Sequence, residues 1–262
     1  MRSRCQHWEL GQRKGRSLGV LLAIVLFELA CQAATLVLPD EAQNQPGFGA
    51  LGLLSGESGR WQQIYYSEKL QPWMPNGALI TGVSLRNDDL ALEGNDATIE
   101  KVEVVMSTTA DRGSSLSPVF AFNYGPDRAT VYSQSDVRWV LRQVPNGISP
   151  FDAVIPFPSP YLYDPSKGNL LVELRLLHVS PGLHLDAHRR QAGPDGEALI
   201  FQAGGSPDEI LVADDVNHGV GLVMRLSFDP IPEPISTFSL VLGLFVLFLH
   251  RRARGDRNNL SS

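Results

Sequence analysis

The body of the chain consists of short runs in which apolar and polar side chains alternate. In residues 97–109, Val102, Val104 and Met106 alternate with Lys101, Glu103 and Val105. Such a period of two points alternate side chains to opposite faces and is typical of a half-buried β-strand. The same alternation recurs in residues 170–176 and 222–228. Because the body has no apolar stripe with the 3.6-residue period of a helix, the pattern favours strands throughout.

Turn-forming residues separate these runs from one another. Clusters such as Asn146-Gly147 and Gly193-Pro194-Asp195-Gly196 supply a positive φ, a preset φ or an Asx turn. Shorter strands are predicted between such clusters at residues 61–66, 78–85, 129–133, 137–141, 151–157, 183–187 and 199–202. About nine to eleven strands with turns between them predict an all-β fold. Within that class we expect a single β-sandwich of jelly-roll type over residues 61–230, preceded by a loop or loosely docked arm at residues 34–60.

The N-terminal end has the composition of a secretory signal. Five basic residues precede an apolar stretch at residues 18–29, which Glu28 interrupts, and small residues follow it. This order predicts a signal peptide over residues 1–33, with cleavage between Ala33 and Ala34. One alternative is a lipoprotein cysteine at Cys31, although Glu28 lies where such a motif has an apolar residue. The other is an uncleaved anchor, although the stretch is shorter than the roughly 20 residues that span a bilayer.

The C-terminal end carries a second hydrophobic segment. Its parts, in order, are Pro232, Glu233 and Pro234, an apolar run at residues 235–249, and the basic residues Arg251, Arg252 and Arg254. We expect a transmembrane helix over residues 235–250, which is short against the roughly 20 residues of a typical span. The arginines obey the positive-inside rule, which places the body outside and the tail, residues 255–262, in the cytoplasm.

This combination resembles the PEP-CTERM sorting signal, found on exported proteins of Gram-negative bacteria that make exopolysaccharide. A Pro-Glu-Pro motif, a short hydrophobic helix and an arginine cluster occur in that order over residues 231–254, and an N-terminal signal peptide accompanies them. The resemblance implies recognition by an exosortase, a membrane transpeptidase that cuts near the motif, and a transient stay in the membrane. An ordinary single-span anchor is the alternative interpretation.

The body shows a second resemblance, to a recurrent β-sandwich domain of exported bacterial proteins. The runs that carry it are residues 61–65, 80–86, 104–109, and 163–165 together with 168–173. They contain no catalytic motif, so this resemblance implies a fold and no activity.

Charge and cysteine content narrow the functions open to the body. Residues 34–234 contain 13 Lys and Arg against 25 Asp and Glu, so their net charge is −12, compared with −6 for the whole chain. An acidic surface disfavours nucleic acid, whose binding depends on basic residues that neutralise phosphates. Both cysteines, Cys5 and Cys31, lie in the signal region, so we expect no disulfide in the mature body.

Two acidic clusters are candidate calcium sites, because calcium takes six to eight oxygen ligands, often from loops. The carboxylates concerned are Asp88, Asp89, Glu93, Asp96, Asp214 and Asp215. Their spacing is not that of an EF-hand, and solvated loops between strands are the alternative interpretation. One ion shared by both clusters would require the two loops to meet. Apart from calcium, no cofactor is expected.

Histidines and aromatic residues offer two further candidates. His178, His184 and His188, with Asp186 among them, form a candidate zinc set, and residues 184, 186 and 188 share one face of a predicted strand. The basic pair Arg189-Arg190 follows at once and opposes a cation, so exposed histidines are the alternative. Trp73, flanked by prolines in a predicted loop, is the candidate for stacking on a carbohydrate.

The chain contains no motif for catalysis that we recognise. A nucleophile elbow, a Walker loop, an H-E-x-x-H motif and a mature cysteine are all absent, so we expect no enzyme. The expected function is a structural or adhesive role, linked to exopolysaccharide and biofilm, at the cell surface or in the extracellular matrix after an inner-membrane intermediate. The expected partners are an exosortase, the membrane and polysaccharide. A carbohydrate-binding module and a hydrolase with an unrecognised site are the alternatives.

Overall fold

Strands make up nearly all of the regular structure of this chain. The computed structural model describes residues 33–47, 49–53, 56–88, 95–111, 115–144, 147–189, 198–203, 212–213, 215–218 and 220–232. The strands among these residues are β1 (Ala34–Leu38), β2 (Gly49–Leu53), β3 (Gly59–Tyr65), β4 (Ala78–Leu85), β5 (Asn95–Thr109), β6 (Ala129–Leu141), β7 (Ala153–Tyr163), β8 (Asn169–Ser180), β9 (Leu183–Arg189), β10 (Ala198–Ala203), β11 (Asp215–His218), β12 (Val220–Leu222) and β13 (Met224–Pro230). The helical elements of the same ranges are a short helix, α1 (Ser67–Leu70), and 3₁₀ turns at Asp40–Gln43, Phe120–Asn123 and Pro165–Lys167.

The strands form three antiparallel sheets. The four-stranded sheet has the order β1-β13-β4-β7, the six-stranded sheet β11-β10-β3-β8-β5-β6, and the three-stranded sheet β12-β9-β2. The pairings within these sheets are all antiparallel. The predicted all-β class is therefore confirmed. Strands that follow one another in the chain are often not neighbours, since β13, the last strand described, lies between β1 and β4.

One apolar core joins the four-stranded and the six-stranded sheets. Ile80 and Phe228 from the former, and Trp61 and Leu174 from the latter, belong to a single cluster of buried side chains. Strand alternation explains this core, because every second residue of a strand points to the same face. From Met224 to Phe228 in β13, buried and partly exposed residues accordingly take turns.

The opposite face of the six-stranded sheet is also covered. Ile64 and Leu171 on this face form a second buried cluster with Leu116 and Phe120, which come from the segment between β5 and β6. Polar residues of this face are buried as well, and Glu173 of β8 is fully enclosed. The alternation in β8 predicts one wet face, whereas the structure buries both faces over residues 169–174. The reason is that an irregular segment, which has no periodicity of its own, covers the second face.

Glu173 lies at the centre of a buried hydrogen-bond network. Its Oε2 atom accepts from Arg60 Nη2 at 3.1 Å and from Gln62 Nε2 at 2.6 Å. The Tyr124 hydroxyl donates to the same oxygen at 2.6 Å, and Arg175 Nε donates to Oε1 at 2.5 Å. Gln62 is the direct partner of Glu173 in the register between β3 and β8, so strand pairing itself sets this contact. Two guanidinium groups and two neutral donors offset the cost of burying the carboxylate charge.

Most predicted strands are present. The main differences from the prediction concern strands that pair with partners far away in the sequence. β4 has the predicted bounds, whereas residues 129–141 form one strand, β6, where the sequence predicts two. Residues 34–60, predicted as a loop or loosely docked arm, contain β1, β2 and the start of β3, so the structure corrects that prediction. β1 pairs with β13 and β2 pairs with β9, and local composition does not reveal such distant partners. The predicted helices of the signal peptide and the membrane span lie outside the described residues.

Removal of the charge on Glu173 should strongly destabilise the body. In Glu173→Gln, the ion pair between the buried side chains of Arg60 and Glu173 would be lost, whereas Arg175 would keep its ion pair with Glu103. Breaking a buried pair in this way costs about 3–5 kcal/mol. The free energy of unfolding of the unit Ala33–Ile231, measured by urea titration, should fall by a similar amount. Asp96→Asn is the matched control and should have little effect, because the ion pair of Asp96 with Arg138 is exposed. Equal losses in the two variants would contradict the importance of the buried network.

Candidate functional site

The two ends of the folded body lie side by side. In the four-stranded sheet, Ala34 at the start of β1 pairs with Phe228 near the end of β13. Pro230, the last residue of β13, pairs with Ala78 at the start of β4, which in turn pairs with Tyr163 at the end of β7. Antiparallel pairing thus brings the start of β1 and the end of β13 to the same end of the sheet. The predicted signal-cleavage position therefore lies next to the strand that precedes the predicted sorting motif.

Backbone contacts fix the chain where it leaves β13. The amide of Ile231 donates to the carbonyl of Gly77 at 3.0 Å. Gly77 has a φ of +88°, a left-handed conformation that favours glycine, and a Cβ atom there would lie 2.7 Å from the carbonyl oxygen of Tyr163. The chain is therefore held in place up to Ile231, one residue before the predicted sorting motif.

The segment that follows β3 at this end of the body carries Trp73. Helix α1 is tied to the start of β8, because the amide of Ser67 donates to Asn169 Oδ1 at 2.9 Å. Leu70 and Met74 are buried, whereas the side chain of Trp73 is 53% exposed. The amide of Trp73 donates to the carbonyl of Leu70 at 3.0 Å. An ordered turn with a buried apolar base therefore presents the indole to solvent.

Two exposed leucines lie near the same end of the four-stranded sheet. Leu79 of β4 and Leu162 of β7 are direct partners in the register, and their side chains are 39% and 54% exposed. Together with Trp73 they add large apolar side chains to the end of the body from which the chain leaves. We call this end the terminal pole, and define it by residues 34–36, 66–79, 162–169 and 229–231.

Asp127 ties the segment between β5 and β6 to β5 and β7 near the terminal pole. Its Oδ1 atom accepts from the Thr108 amide at 2.7 Å and from the Thr108 hydroxyl at 2.9 Å, and its Oδ2 atom accepts from the Tyr161 hydroxyl at 3.0 Å. Burial by itself raises the pKa of Asp127, but these hydrogen bonds outweigh burial and hold the pKa below its ordinary value. Burial and the nearby carboxylate raise the pKa of Tyr161, so its hydroxyl remains a donor.

The acidic residues predicted to bind calcium lie in different surroundings. Asp88 is buried, and its amide donates to the carbonyl of His184 at 3.2 Å. Asp96 on β5 forms an exposed ion pair with Arg138, whose hydrogen bonds hold the pKa of Asp96 below its ordinary value. Asp215 belongs to β11. The remaining candidates, Asp89, Glu93 and Asp214, lie outside the described residues.

The sheet order separates Asp96 from Asp215, one residue of each acidic cluster. β8, β3 and β10 lie between β5 and β11, so four strand spacings place Asp96 and Asp215 about 19 Å apart across the sheet. Calcium ligands lie about 2.3–2.6 Å from the ion, so these two residues do not share one. Within the described ranges, no group of three or more His, Cys, Asp or Glu side chains is placed to hold a metal. Calcium at either loop alone stays a prediction.

The surroundings of Asp186 oppose a zinc ion at the predicted site. This carboxylate is buried and accepts from Arg86 Nε at 2.5 Å and from the amide of Gly47 at 3.2 Å. An arginine thus already neutralises the group that would have to ligate the metal. The regular register of β9 keeps both histidines on the face of Asp186, but His188 is buried and His184 is exposed, so the three side chains lie in different surroundings.

The processing residues are only partly described. Ala33, Ala34 and Pro232 are among the described residues, whereas Glu233, Pro234, Arg251, Arg252 and Arg254 lie outside them. No helix in the described part of the chain is long and apolar enough to cross a membrane. The predicted roles of these residues in export and sorting stay predictions.

The sequence analysis did not predict that the first and last strands of the body pair with each other. Strand pairing between residues so far apart leaves no periodic pattern, so it cannot be found from local composition. One local sign was present, because residues 34–38 are β-branched and apolar, as is typical of a strand. Their position directly after the predicted cleavage site would have suggested that the mature chain begins with a strand.

Comparison with known proteins identifies no family. No protein-family model matches the chain, and no curated protein matches it. Among solved structures, a chain in the crystal structure of the infectious bursal disease virus VP2 subviral particle aligns with 86% of this chain, at 9% identity and a TM-score of 0.15. The aligned region spans 50% of that viral chain. A score this low supports no conclusion about fold or function.

Asp127→Asn should destabilise the body at neutral pH and have less effect in acid. A carboxyl with a lowered folded-state pKa stabilises the fold above its ordinary pKa of about 3.9, and this stabilisation is lost as the pH falls through the folded-state pKa. The urea midpoints of wild type and variant should therefore differ at pH 7 and converge below about pH 4. Asp136→Asn, at an exposed position of β6, is the control and should shift neither midpoint. A difference that persists unchanged in acid would show that the charge of Asp127 is not what stabilises the fold.

Proposed function

We propose that this chain is an exported, non-enzymatic protein of the cell surface or extracellular matrix that is sorted and cleaved by an exosortase. The observation that carries the proposal is the order of a Pro-Glu-Pro motif, a short apolar run and arginines over residues 231–254, together with an N-terminal signal peptide. Its role is structural or adhesive and is linked to exopolysaccharide in a biofilm. The protein passes through an inner-membrane intermediate before it reaches the surface.

The bounds of the folded body support this proposal. β1 begins at Ala34, directly after the predicted signal-cleavage position, and β13 ends at Pro230, shortly before the predicted sorting motif. Removal of both ends would leave each of the described strands intact. A sorting signal that is discarded must be dispensable for the fold, and the position of this one meets that requirement.

We further propose that the body is a β-sandwich with jelly-roll-like connections. The core shared by the four-stranded and six-stranded sheets supports face-to-face packing of two sheets. The chain also passes from one of these sheets to the other between β3 and β4, β4 and β5, β6 and β7, and β7 and β8. Such repeated crossing is expected of Greek-key topologies, in which consecutive strands often belong to different sheets.

Mass spectrometry of the surface protein tests the sorting step. Protein recovered from the cell surface should yield no peptide from residues 239–251, because the proposed cleavage removes them. Replacement of residues 232–234 by alanine should block recognition, so the variant should stay in the membrane fraction with these peptides present. Asn258→Ala, in the predicted cytoplasmic tail, is the control and should be processed like wild type. Peptides from residues 239–251 in mature surface protein would refute cleavage.

A carbohydrate-binding module is the second candidate function, because Trp73 is 53% exposed on an ordered turn. An indole presented in this way can stack on the apolar face of a sugar. On a glycan array, this candidate predicts binding to a limited set of glycans that is lost in Trp73→Ala. Binding should be kept in Phe122→Ala, which removes another exposed aromatic side chain. Flat signals across the array would exclude this candidate.

A further inference from the structure

We infer that the terminal pole rests on the lipid headgroups of the membrane while the C-terminal end of the chain is still inserted there. The inference rests on the proposed function, which supplies the membrane-bound stage. It goes further, because it assigns an orientation to the body and names the surface that contacts lipid.

The short length of chain after Ile231 carries the argument. Ile231 is fixed by its hydrogen bond to Gly77, and the predicted membrane span begins four residues later, at Ile235. Four residues reach at most about 14 Å when fully extended. The headgroup layer on each side of a bilayer is about 5–8 Å thick, since the whole bilayer measures about 40–45 Å and its core about 30 Å. The remaining length keeps Ile231 within about 6–9 Å of the outer surface of the headgroups.

The other end of the chain supports the same orientation. The apolar stretch of the predicted signal peptide ends at Leu29, and β1 begins at Ala34, five residues later. Five residues reach at most about 18 Å. Because Ala34 pairs with Phe228 near the end of β13, both ends of the body leave from the terminal pole. Whichever end is held in the membrane, the same surface of the body faces the bilayer.

The apolar side chains of the terminal pole suit a bilayer surface. Trp73 exposes its indole, and tryptophan prefers the membrane boundary because its ring is apolar and its N–H group is polar. Leu79 and Leu162 add an exposed pair on neighbouring strands. Tryptophan and leucine are also the apolar residues of helices that lie in the membrane boundary.

The terminal pole is nearly neutral although the body as a whole is strongly acidic. Its segments contain two basic and three acidic residues, a net charge of −1, whereas residues 34–234 carry −12. The residues concerned are Lys69, Lys167, Glu68, Asp164 and Asp229. Anionic headgroups repel acidic surfaces, so a near-neutral pole can approach lipid where the rest of the body would be repelled.

The opposite end of the body then faces away from the membrane. Ile148 lies there, in the connection between β6 and β7. This connection enters β7 at Ala153, which pairs with Leu85 at the far end of β4, seven residues from Ala78. Seven residues of a strand span about 23 Å. Ile148 therefore provides an exposed reference position far from the terminal pole.

Fluorescence quenching in vesicles tests this orientation. In the full-length protein with Cys5→Ser and Cys31→Ser, a single cysteine introduced by Leu162→Cys or by Ile148→Cys carries a fluorophore. Residues 162 and 148 are 54% and 40% exposed, so neither replacement removes a core side chain. The protein is reconstituted into vesicles of phosphatidylcholine and phosphatidylglycerol, with or without a lipid that carries a spin label on its headgroup.

The two positions should respond differently. The label at residue 162 should lose most of its fluorescence, because the proposed orientation places the terminal pole at the spin-labelled headgroups. The label at residue 148 should keep most of its fluorescence, because Leu79, the partner of Leu162, lies six residues or about 20 Å from Leu85 at the far end of β4. Equal quenching at both positions would overturn the orientation and leave the proposed function intact. If the full-length protein does not stay with the vesicles after an alkaline wash, the membrane-bound stage is refuted, and both proposals fall.

Discussion

The pairing of β13 with both β1 and β4 is the constraint on which the rest of the structure depends. It places the last strand of the body in the interior of the four-stranded sheet, where Leu226 and Phe228 join the common core. The same pairing brings the two ends of the chain together at the terminal pole. Without β13, β1 would lose the strand that holds it, β4 would become an edge, and the core would lose part of one wall.

The local features of the fold are predictable from the sequence, and the long-range features are not. Alternation and turn clusters predict β4 at its observed bounds, because both act within a few residues. β1 and β2 depend on partners distant in the chain, so a segment rich in Gly and Gln resembles a loop until those partners are known. Glu173 is a second example of a long-range feature. Its charge and its place in an alternating strand predict a solvent-exposed side chain, but an irregular segment covers that face of the sheet and buries it.

The candidate sites show which chemistry can be inferred from residue types alone. The flanking prolines of Trp73 indicate a loop, and the structure places its indole in solvent. What the indole contacts depends on where the chain ends leave the body, which only the strand order reveals. The predicted zinc set contains the right residue types, but Arg86, 100 residues earlier in the chain, neutralises Asp186. Spacing identifies potential ligands, whereas tertiary partners decide whether those ligands are free to bind.

The interior position of β13 also has a consequence for the timing of folding. Ribosomes add about 5–20 residues per second, so residues 34–223 take about 10–40 s to synthesise before β13 exists. Until then the chain has an open sheet edge and an incomplete core, which makes it prone to aggregate. On the proposed function, the sorting motif emerges directly after the strand that completes the fold. A chain truncated before residue 224 would lack both, so the sorting enzyme would not process chains that lack the closing strand.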